Sequence, residues 1–213
     1  MILQTNSDDL ITALAKNGYA VIDQAIADDA ITKLRNAALA LQKNGLMQRA
    51  STGKNLGVVA LSSIRGDFTY WLEDINLIHS TSEQTYSIAY LAYMESLREL
   101  LNQALFLGLF DFETHYAIYP AGEGYSKHLD QFKQSNQSQA NQRSRKISSV
   151  LYLNQDWKTP DGGQLRLYLE ADKFVDIKPV AGRLVLFLSD RFWHEVLPAK
   201  RERISLTGWF RTR

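Results

Sequence analysis

A chain of 213 residues is the size of one domain, and its formal charge of +1 gives neither the basic field of a nucleic-acid binder nor the acidic excess that attracts a basic partner. Hydrophobic residues make up 45% and charged residues 22%, as in an ordinary globular protein, and no apolar run is long enough to span a bilayer. There is no cysteine, which excludes disulfides and thiolate metal sites; with no signal-peptide pattern at the start, we expect a cytoplasmic protein.

The first half of the chain predicts helices that pack on a sheet. In order, the elements are a helix capped by Asn6 or Ser7 and ended by Gly18, a strand over residues 19–22, a helix from Asp28 to Gly45, and a helix from Ser82 to about Phe106. The last helix carries a stripe of tyrosines. That stripe could mark a partner groove, but we interpret it as core packing.

A polar, glycine-containing stretch separates the second helix from the third. Residues 47–64 predict a mobile loop with short flanking strand pieces. Arg65-Gly66-Asp67 follows, and Gly-Asp is ordinary surface-turn chemistry.

From Thr114 onward the pattern changes to short alternating runs, which indicates about eight strands. They cover residues 115–119, 125–130, 146–153, 164–169, 174–177, 183–187, 193–196 and 202–210. A polar loop over residues 131–145 interrupts them. Many short strands of even spacing predict a jelly-roll barrel, which brings distant strands together at its mouth.

Metal-ligand chemistry is concentrated in two of these strands. His128 and Asp130 are two residues apart, so on an extended strand both side chains leave the same face. His194 would complete a set of two imidazoles and one carboxylate, which leaves open positions on an octahedral Fe(II). A His-x-Asp pattern alone is weak evidence for a metal site. The alternative is that His128, Asp130 and His194 are merely polar residues at the ends of strands. His79 and His115 lack partners at ligand spacing and are interpreted as structural.

Other motifs occur in the same order as in a known family. They are His128-x-Asp130, Tyr152-Leu153-Asn154-x-Asp156-Trp157, Gly162-Gly163-x-Leu165-x-Leu167-Tyr168, His194-Glu195-Val196-x-Pro198-Ala199 and Arg203. The sequence resembles the 2-oxoglutarate- and Fe(II)-dependent oxygenases, and within them the prolyl hydroxylases. Ile64-Arg65-Gly66-Asp67 followed by Trp71 narrows the resemblance to the oxygen-sensing (hypoxia-inducible-factor) prolyl hydroxylases and their bacterial relatives.

The resemblance implies a role for each site residue. His128, Asp130 and His194 would ligate Fe(II), and Arg203 would hold the far carboxylate of 2-oxoglutarate, with a hydrogen bond from Tyr152 and with Tyr119 nearby. O2 is the other cosubstrate, and ascorbate is a candidate further ligand. Thr207 shares the Arg203 face by alternation. Trp209 matches a tryptophan beside the reacting centre, although a core aromatic is an equal alternative.

Substrate-facing residues are also implied. Arg65 and Asp67 match residues on or beside a loop that folds over the peptide, and Tyr125 and Arg145 match residues of the peptide-binding face. Arg143 or Lys146 could replace Arg145, because the preceding loop differs in length. We expect Asn154, Asp156 and Trp157 to stabilise a turn, Glu195 to face away from the metal, and Gly162 and Gly163 to serve backbone geometry.

Together these features predict a mainly β fold with supporting helices, whose core is a double-stranded β-helix. We expect one domain, with helical support and a substrate loop in residues 1–110 and the jelly-roll core in 111–213. The implied activity is hydroxylation of a prolyl residue in a protein, giving succinate and CO2, with elongation factor Tu as a candidate target. The alternatives are a hydroxylase of a free amino acid or small molecule, and a non-catalytic metal- or peptide-binding jelly roll. We expect a monomer that binds neither nucleic acid nor membrane.

Overall fold

Three amphipathic helices form where the sequence predicts them. The computed structural model describes residues 7–50, 65–72, 82–131, 144–170 and 172–213. The helices are α1 (Ser7–Asn17), α2 (Asp28–Lys43) and α3 (Ser82–Leu105). Acidic residues occupy the first turns of α1 and α2, where they complement the helix dipole. Gly18 and Gly45 follow these helices with φ of 79° and 68°, the left-handed conformation that glycine adopts without strain.

Eleven strands are present in the described part of the chain. They are β1 (Tyr19–Ile22), β2 (Gln48–Arg49), β3 (Phe68–Trp71), β4 (Asp111–Tyr119), β5 (Tyr125–His128), β6 (Ser144–Tyr152), β7 (Leu165–Glu170), β8 (Lys173–Ile177), β9 (Leu184–Leu188), β10 (His194–Val196) and β11 (Arg203–Thr212). All pairings are antiparallel.

The strands form two sheets that face each other. The major sheet has the order β1-β9-β6-β11-β4-β3-β2, and the minor sheet has the order β5-β10-β7-β8. Four strands of the major sheet, β9-β6-β11-β4, and the four of the minor sheet are the eight that the alternating pattern predicts. The predicted jelly-roll arrangement of a mainly β fold is therefore confirmed.

Both faces of the major sheet are buried, because alternate residues pack into different cores. One face meets the helices, where Ile118, Leu151 and Leu206 join residues of α2 and α3. The other face points between the sheets, where Ala117 and Val150 meet Leu167 of the minor sheet. Tyr90 and Tyr93 of α3 are buried in the first core, so core packing is the correct interpretation of the tyrosine stripe.

Several local predictions need correction. Strand β3 was not predicted, although it pairs with β4 from Phe68 to Trp71. The surface-turn alternative for Arg65-Gly66-Asp67 does not hold, because Asp67 is fully buried and the backbone of Arg65 forms a β-bridge with Tyr125. The predicted loops at 47–64 and 131–145 fall mostly outside the described residues, as does His79. Among the described residues, no helix combines the length and apolar character needed to cross a membrane.

Candidate functional site

A cavity opens between the two sheets, in the second core. It has a volume of about 470 Å³, its open mouth included. The major sheet contributes inward residues of β4, β6, β9 and β11, and the minor sheet contributes His128 and His194. The lining residues are Arg65, Asp67, His115, Ala117, Tyr119, Tyr125, His128, Asp130, Ser148, Val150, Leu165, Phe187, His194, Val196, Arg203, Thr207 and Trp209.

Two imidazoles and one carboxylate converge on one wall of this cavity. Strands β5 and β10 pair so that His128 lies directly opposite His194. Asp130 follows the end of β5, with Oδ1 3.6 Å from Nε2 of His128 and Oδ2 3.5 Å from Nε2 of His194. One ligand atom from each residue lies within 4.8 Å of the others. The geometry is that of a three-ligand metal site.

The proton positions on both rings favour metal binding. Nδ1 of His128 lies 2.8 Å from the carbonyl of Ser126, and Nδ1 of His194 lies 3.0 Å from the carbonyl of Phe192. A carbonyl only accepts, so each Nδ1 carries the proton and donates. Each Nε2 then presents its lone pair to the cluster, as neutral imidazole ligands require.

Charge states in the cluster also suit a cation. Burial alone would raise the pKa of Asp130, but His194, His128 and the Ser148 hydroxyl together hold it below its ordinary value. Burial lowers the pKa of His194 to about 4, although Asp130 opposes this shift. At neutral pH the site therefore offers an ionised carboxylate and a neutral His194. This donor set fits Fe(II), whose preferred ligands include imidazole and carboxylate.

A buried cation without a carboxylate partner occupies the other end of the cavity. Arg203 is 2% exposed, and no described acid pairs with it. Its guanidinium lies 4.9 Å from the ring centre of Tyr152 and 5.2 Å from that of Tyr119. Nε of Arg203 and the hydroxyl of Tyr152 are buried without a hydrogen-bond partner among the described residues. Such groups cost free energy unless an anion satisfies them, so this end fits a carboxylate of a small diacid.

The mouth of the cavity is lined by a second arginine that is already paired. Nε and Nη2 of Arg65 donate to the two carboxylate oxygens of Asp67 at 2.6 and 2.9 Å. Burial opposes the charge of Arg65, but these bonds outweigh it and raise its pKa. The guanidinium also lies 4.9 Å from the ring centre of Tyr125, which stacks on His128 at 3.6 Å. Arg65, Asp67 and Tyr125 are thus brought beside the metal cluster.

An aromatic wall adjoins this mouth, and its central member was missed. The ring of His115 lies 4.7 Å from that of Trp71 and 5.5 Å from that of Trp209. Burial lowers the pKa of His115, with Arg65 adding to the effect, so the ring is neutral. The interpretation of His115 as structural stays a prediction, but its position at the cavity was not foreseen. His115 shares the inward face of β4 with Tyr119, and this alternation could have revealed that position.

Thr207 and Trp209 also line the cavity, as β11 alternation requires. Arg145 does not: it binds Glu113 at 3.0 Å, and its guanidinium lies 3.5 Å above the ring of Trp209. It therefore supports Trp209 from outside the cavity. Tyr119 and Tyr152 lie at the end of the cavity that Arg203 occupies, and strand pairing explains why. Arg203 pairs with Tyr119 of β4, and Ser205, the next residue of β11 on the inward face, pairs with Tyr152 of β6.

The residues expected to have structural roles do so. The Asn154 amide donates to the carbonyl of Pro179 at 2.8 Å and accepts from the backbone of Ile204 at 2.7 Å. Asp156 has a positive φ in the turn after β6, and Trp157 Nε1 donates to the carbonyl of Gly162. Glu195 faces away from the cluster and accepts a hydrogen bond from Tyr168.

Comparison with known proteins gives a consistent result. The model of the 2OG-Fe(II) oxygenase superfamily matches residues 114–211. A Pseudomonas putida prolyl-4-hydroxylase structure has 40% identity and a TM-score of 0.80, covering 97% of this chain and 99% of that one. A Trichoplax adhaerens prolyl hydroxylase, solved with a peptide fragment of the hypoxia-inducible factor oxygen degradation domain, has 30% identity and a TM-score of 0.78, covering 96% and 88%.

Curated relatives are longer than this chain. The Caenorhabditis elegans hypoxia-inducible factor prolyl hydroxylase is 28% identical over 212 residues, which is 96% of this chain and 28% of that protein. Human Egl nine homolog 1 is 29% identical over 209 residues, which is 94% of this chain and 45% of that protein. The chain thus spans less than half the length of these two relatives.

Proposed function

Because the chain belongs to the 2-oxoglutarate- and Fe(II)-dependent oxygenases, we propose that it hydroxylates a prolyl residue in a protein substrate. One observation carries this proposal: a cluster of two imidazoles and a carboxylate shares a cavity with a buried arginine that has no carboxylate partner in the described part of the chain. The first group suits a ferrous ion, and the second suits the far carboxylate of the cosubstrate. The similarity to prolyl hydroxylases of P. putida and T. adhaerens supports proline as the target.

We assign the metal ligands as Nε2 of His128, Nε2 of His194 and the carboxylate of Asp130. Arg203 binds the far carboxylate of 2-oxoglutarate, and the hydroxyl of Tyr152 donates to the same group. When bound, Fe(II) supplies the activation of O2, with 2-oxoglutarate leaving as succinate and CO2 and one oxygen atom entering a substrate C–H bond. Tyr119 and Thr207 fill the walls between the two ends and exclude water.

The substrate approaches from the mouth of the cavity. Arg65, Tyr125 and the aromatic wall of Trp71, His115 and Trp209 lie there. The Asp67 carboxylate fixes the guanidinium of Arg65, so its remaining donors have a defined direction toward a peptide carbonyl. Arg145 acts indirectly, by holding the ring of Trp209.

The proposal also covers domain organisation, oligomeric state, location and reductant. Residues 1–110 and 111–213 form one domain that acts as a cytoplasmic monomer, and ascorbate supports turnover as a reductant. The substrate is a protein rather than nucleic acid or membrane, in keeping with the net charge of +1.

The activity is tested by incubating the protein with Fe(II) and 2-oxoglutarate, once without peptide and once with each member of a panel of proline-containing peptides. We expect peptide-dependent succinate and a mass gain of one oxygen atom on proline. Arg203→Gln serves as a cosubstrate-binding control, and Arg201→Gln serves as a matched control at a partly exposed arginine on the same segment. Succinate formed with free amino acids but with no peptide would favour the small-molecule hydroxylase. Absence of succinate with all substrates would favour a non-catalytic jelly roll.

Elongation factor Tu is the proposed target. Mass spectrometry of the purified factor, before and after incubation with the complete reaction, would show a gain of one oxygen atom on a proline-containing peptide. An unchanged mass would exclude elongation factor Tu as the substrate, and the peptide assay would then be used to identify another target.

A further inference from the structure

A pair of buried serines lies directly behind the metal cluster. Ser148 is on the inward face of β6, and its Oγ lies 2.6 Å from Oδ2 of Asp130. Oγ of Ser189, just after β9, lies 2.9 Å from Oγ of Ser148. Both serines are at most 1% exposed. The pair is thus a short chain of hydroxyl groups that ends on the carboxylate.

The direction of this chain follows from the number of protons. An ionised carboxylate only accepts hydrogen bonds, so Ser148 donates its single hydroxyl proton to Asp130. Oγ of Ser148 must then accept from Ser189. The backbone fixes Ser189 in place: its N–H donates to the carbonyl of Lys146 at 3.1 Å, and its carbonyl accepts from the N–H of Gln131 at 3.3 Å.

Asp130 needs such support more than the other two ligands. His128 and His194 lie in paired strands, so the sheet register fixes both rings. Asp130 lies beyond the end of β5, where the bond from the N–H of Gln131 to Ser189 takes the place of regular strand pairing. Among the described residues, the Ser148 hydroxyl is the group that donates a hydrogen bond to its carboxylate.

Both carboxylate oxygens face the imidazoles: Oδ2 lies 3.5 Å from Nε2 of His194, and Oδ1 lies 3.6 Å from Nε2 of His128. Ser148 donates to Oδ2 and so fixes the rotation of the carboxylate about its Cβ–Cγ bond. We propose that Ser148, held by Ser189, is a positioning residue that keeps the Asp130 carboxylate turned toward the two imidazoles, ready to bind the metal. This inference rests on the proposed oxygenase function.

Binding of Mn(II) to the apoprotein tests this proposal without any turnover. We expect Ser148→Ala to weaken Mn(II) affinity about 10- to 100-fold, the usual effect of removing a partner of a ligand. Ser148→Thr keeps the hydroxyl and should restore affinity to within a few-fold. Ser149→Ala is the matched control, because Ser149 is an equally buried serine on the same strand that faces the helices. Isothermal titration calorimetry measures all four proteins, and circular dichroism verifies their folding.

The outcomes separate the two hypotheses. If the wild type binds Mn(II) tightly and Ser148→Ala binds it as tightly as Ser149→Ala, the role of Ser148 is overturned and the oxygenase function stands. If the wild type does not bind Mn(II), both are overturned. Should Ser148→Ala not fold, Ser189→Ala replaces it. That variant leaves Ser148 in place without its donor, and we expect a loss of a few-fold, whereas unchanged affinity would count against the chain of hydroxyl groups.

Discussion

Two tyrosines that are buried to the same extent differ in what their hydroxyl groups meet. Tyr152 is 0% exposed and its hydroxyl has no partner among the described residues, whereas Tyr116 is 1% exposed and its hydroxyl lies 2.9 Å from Oγ of Ser87. A buried hydroxyl without a partner lowers stability, and one with a partner raises it. Tyr152 also lies beside the buried guanidinium of Arg203, 4.9 Å from its ring centre, so its free hydroxyl indicates a site for an anionic ligand, whereas the Tyr116 hydroxyl makes a structural bond.

The comparison gives a prediction for Tyr152→Phe. Removing an unsatisfied hydroxyl should leave the free energy of unfolding unchanged or raise it by up to about 1 kcal/mol. It should also weaken 2-oxoglutarate binding about 10- to 150-fold, because a hydrogen bond to a charged group contributes roughly 1.5–3 kcal/mol. Urea unfolding and calorimetric titration of 2-oxoglutarate into the Mn(II)-loaded protein measure the two quantities.

Tyr116→Phe is the control for this prediction. It should lower the free energy of unfolding by about 1–2 kcal/mol and leave 2-oxoglutarate affinity unchanged. If both variants lost the same stability and neither affected the cosubstrate, Tyr152 would be a core residue and nothing more.

Single residues also show what the sequence can and cannot predict. Alternation along β11 predicted that Arg203, Thr207 and Trp209 share a face, because each lies two or four residues from the next. The same rule applied to β4 would have placed His115 beside Tyr119. His115 was missed because its neighbours come from other strands: Trp71 and Trp209 meet it only once the sheet is assembled. The ligand and cosubstrate roles of these residues stay predictions.

At the scale of elements, helices and turns were the most predictable features, because their signals are local. Polar residues at the predicted start of α1, the first-turn acids Asp28 and Asp29 of α2, and the glycines that follow both helices marked their limits to within a few residues. Strand β3 was missed because it is short and its pairing with β4 comes from far along the chain. Similarly, β5 was predicted to reach Asp130 but ends at His128, since its partner β10 is only three residues long.

One of the turn glycines, Gly163, packs beside the site, and Gly45 does not. Alanine variants of these two glycines can therefore measure how much the packing at the site contributes to stability. Gly163 and Gly45 have φ of 70° and 68°, so an alanine is strained equally at both positions. A Cβ at Gly163 would lie 2.9 Å from Cβ of Ala199 and 3.1 Å from Cζ2 of Trp157, with Cδ of Arg203 in ordinary contact at 3.4 Å. Among the described residues, a Cβ at Gly45 would meet nothing within 4 Å. A difference in stability between the two variants therefore measures overpacking against Ala199 and Trp157, next to Arg203.

We expect Gly45→Ala to cost about 1–2 kcal/mol of unfolding free energy, which is the left-handed strain alone. Gly163→Ala should cost a further 1–3 kcal/mol, roughly, from overpacking against Ala199 and Trp157. It should also weaken 2-oxoglutarate binding, because these two residues would have to shift next to Arg203. Urea unfolding and 2-oxoglutarate titration of both variants test this. Equal losses of stability with unchanged cosubstrate affinity would show that the turn tolerates the methyl group.

For the whole molecule, the same burial that prepares the site makes the apoprotein sensitive to acid. His194 and His115 are buried, and burial lowers the pKa of both, for His194 to about 4. In the unfolded chain their pKa is near 6.5. Between these values the unfolded state binds more protons than the folded state, so stability falls as the pH is lowered through 6.5. Asp130, whose pKa is lowered, adds a loss at still lower pH.

Between pH 7.5 and 5.0, we therefore expect the apoprotein to lose on the order of 2 kcal/mol through His194, with a further loss through His115. Protonating His115 would place a cation beside Arg65, whose Nη2 lies 3.5 Å from Nε2 of the ring. His115→Gln keeps a neutral polar side chain at this position. The variant should therefore lose less unfolding free energy between pH 7.5 and 5.0, and the difference is the part that protonation of His115 contributes. Urea unfolding of the two apoproteins across this range measures the difference. An equal slope in both would mean that His115 is protonated as readily in the folded protein as in the unfolded chain, and that the aromatic wall does not keep it neutral.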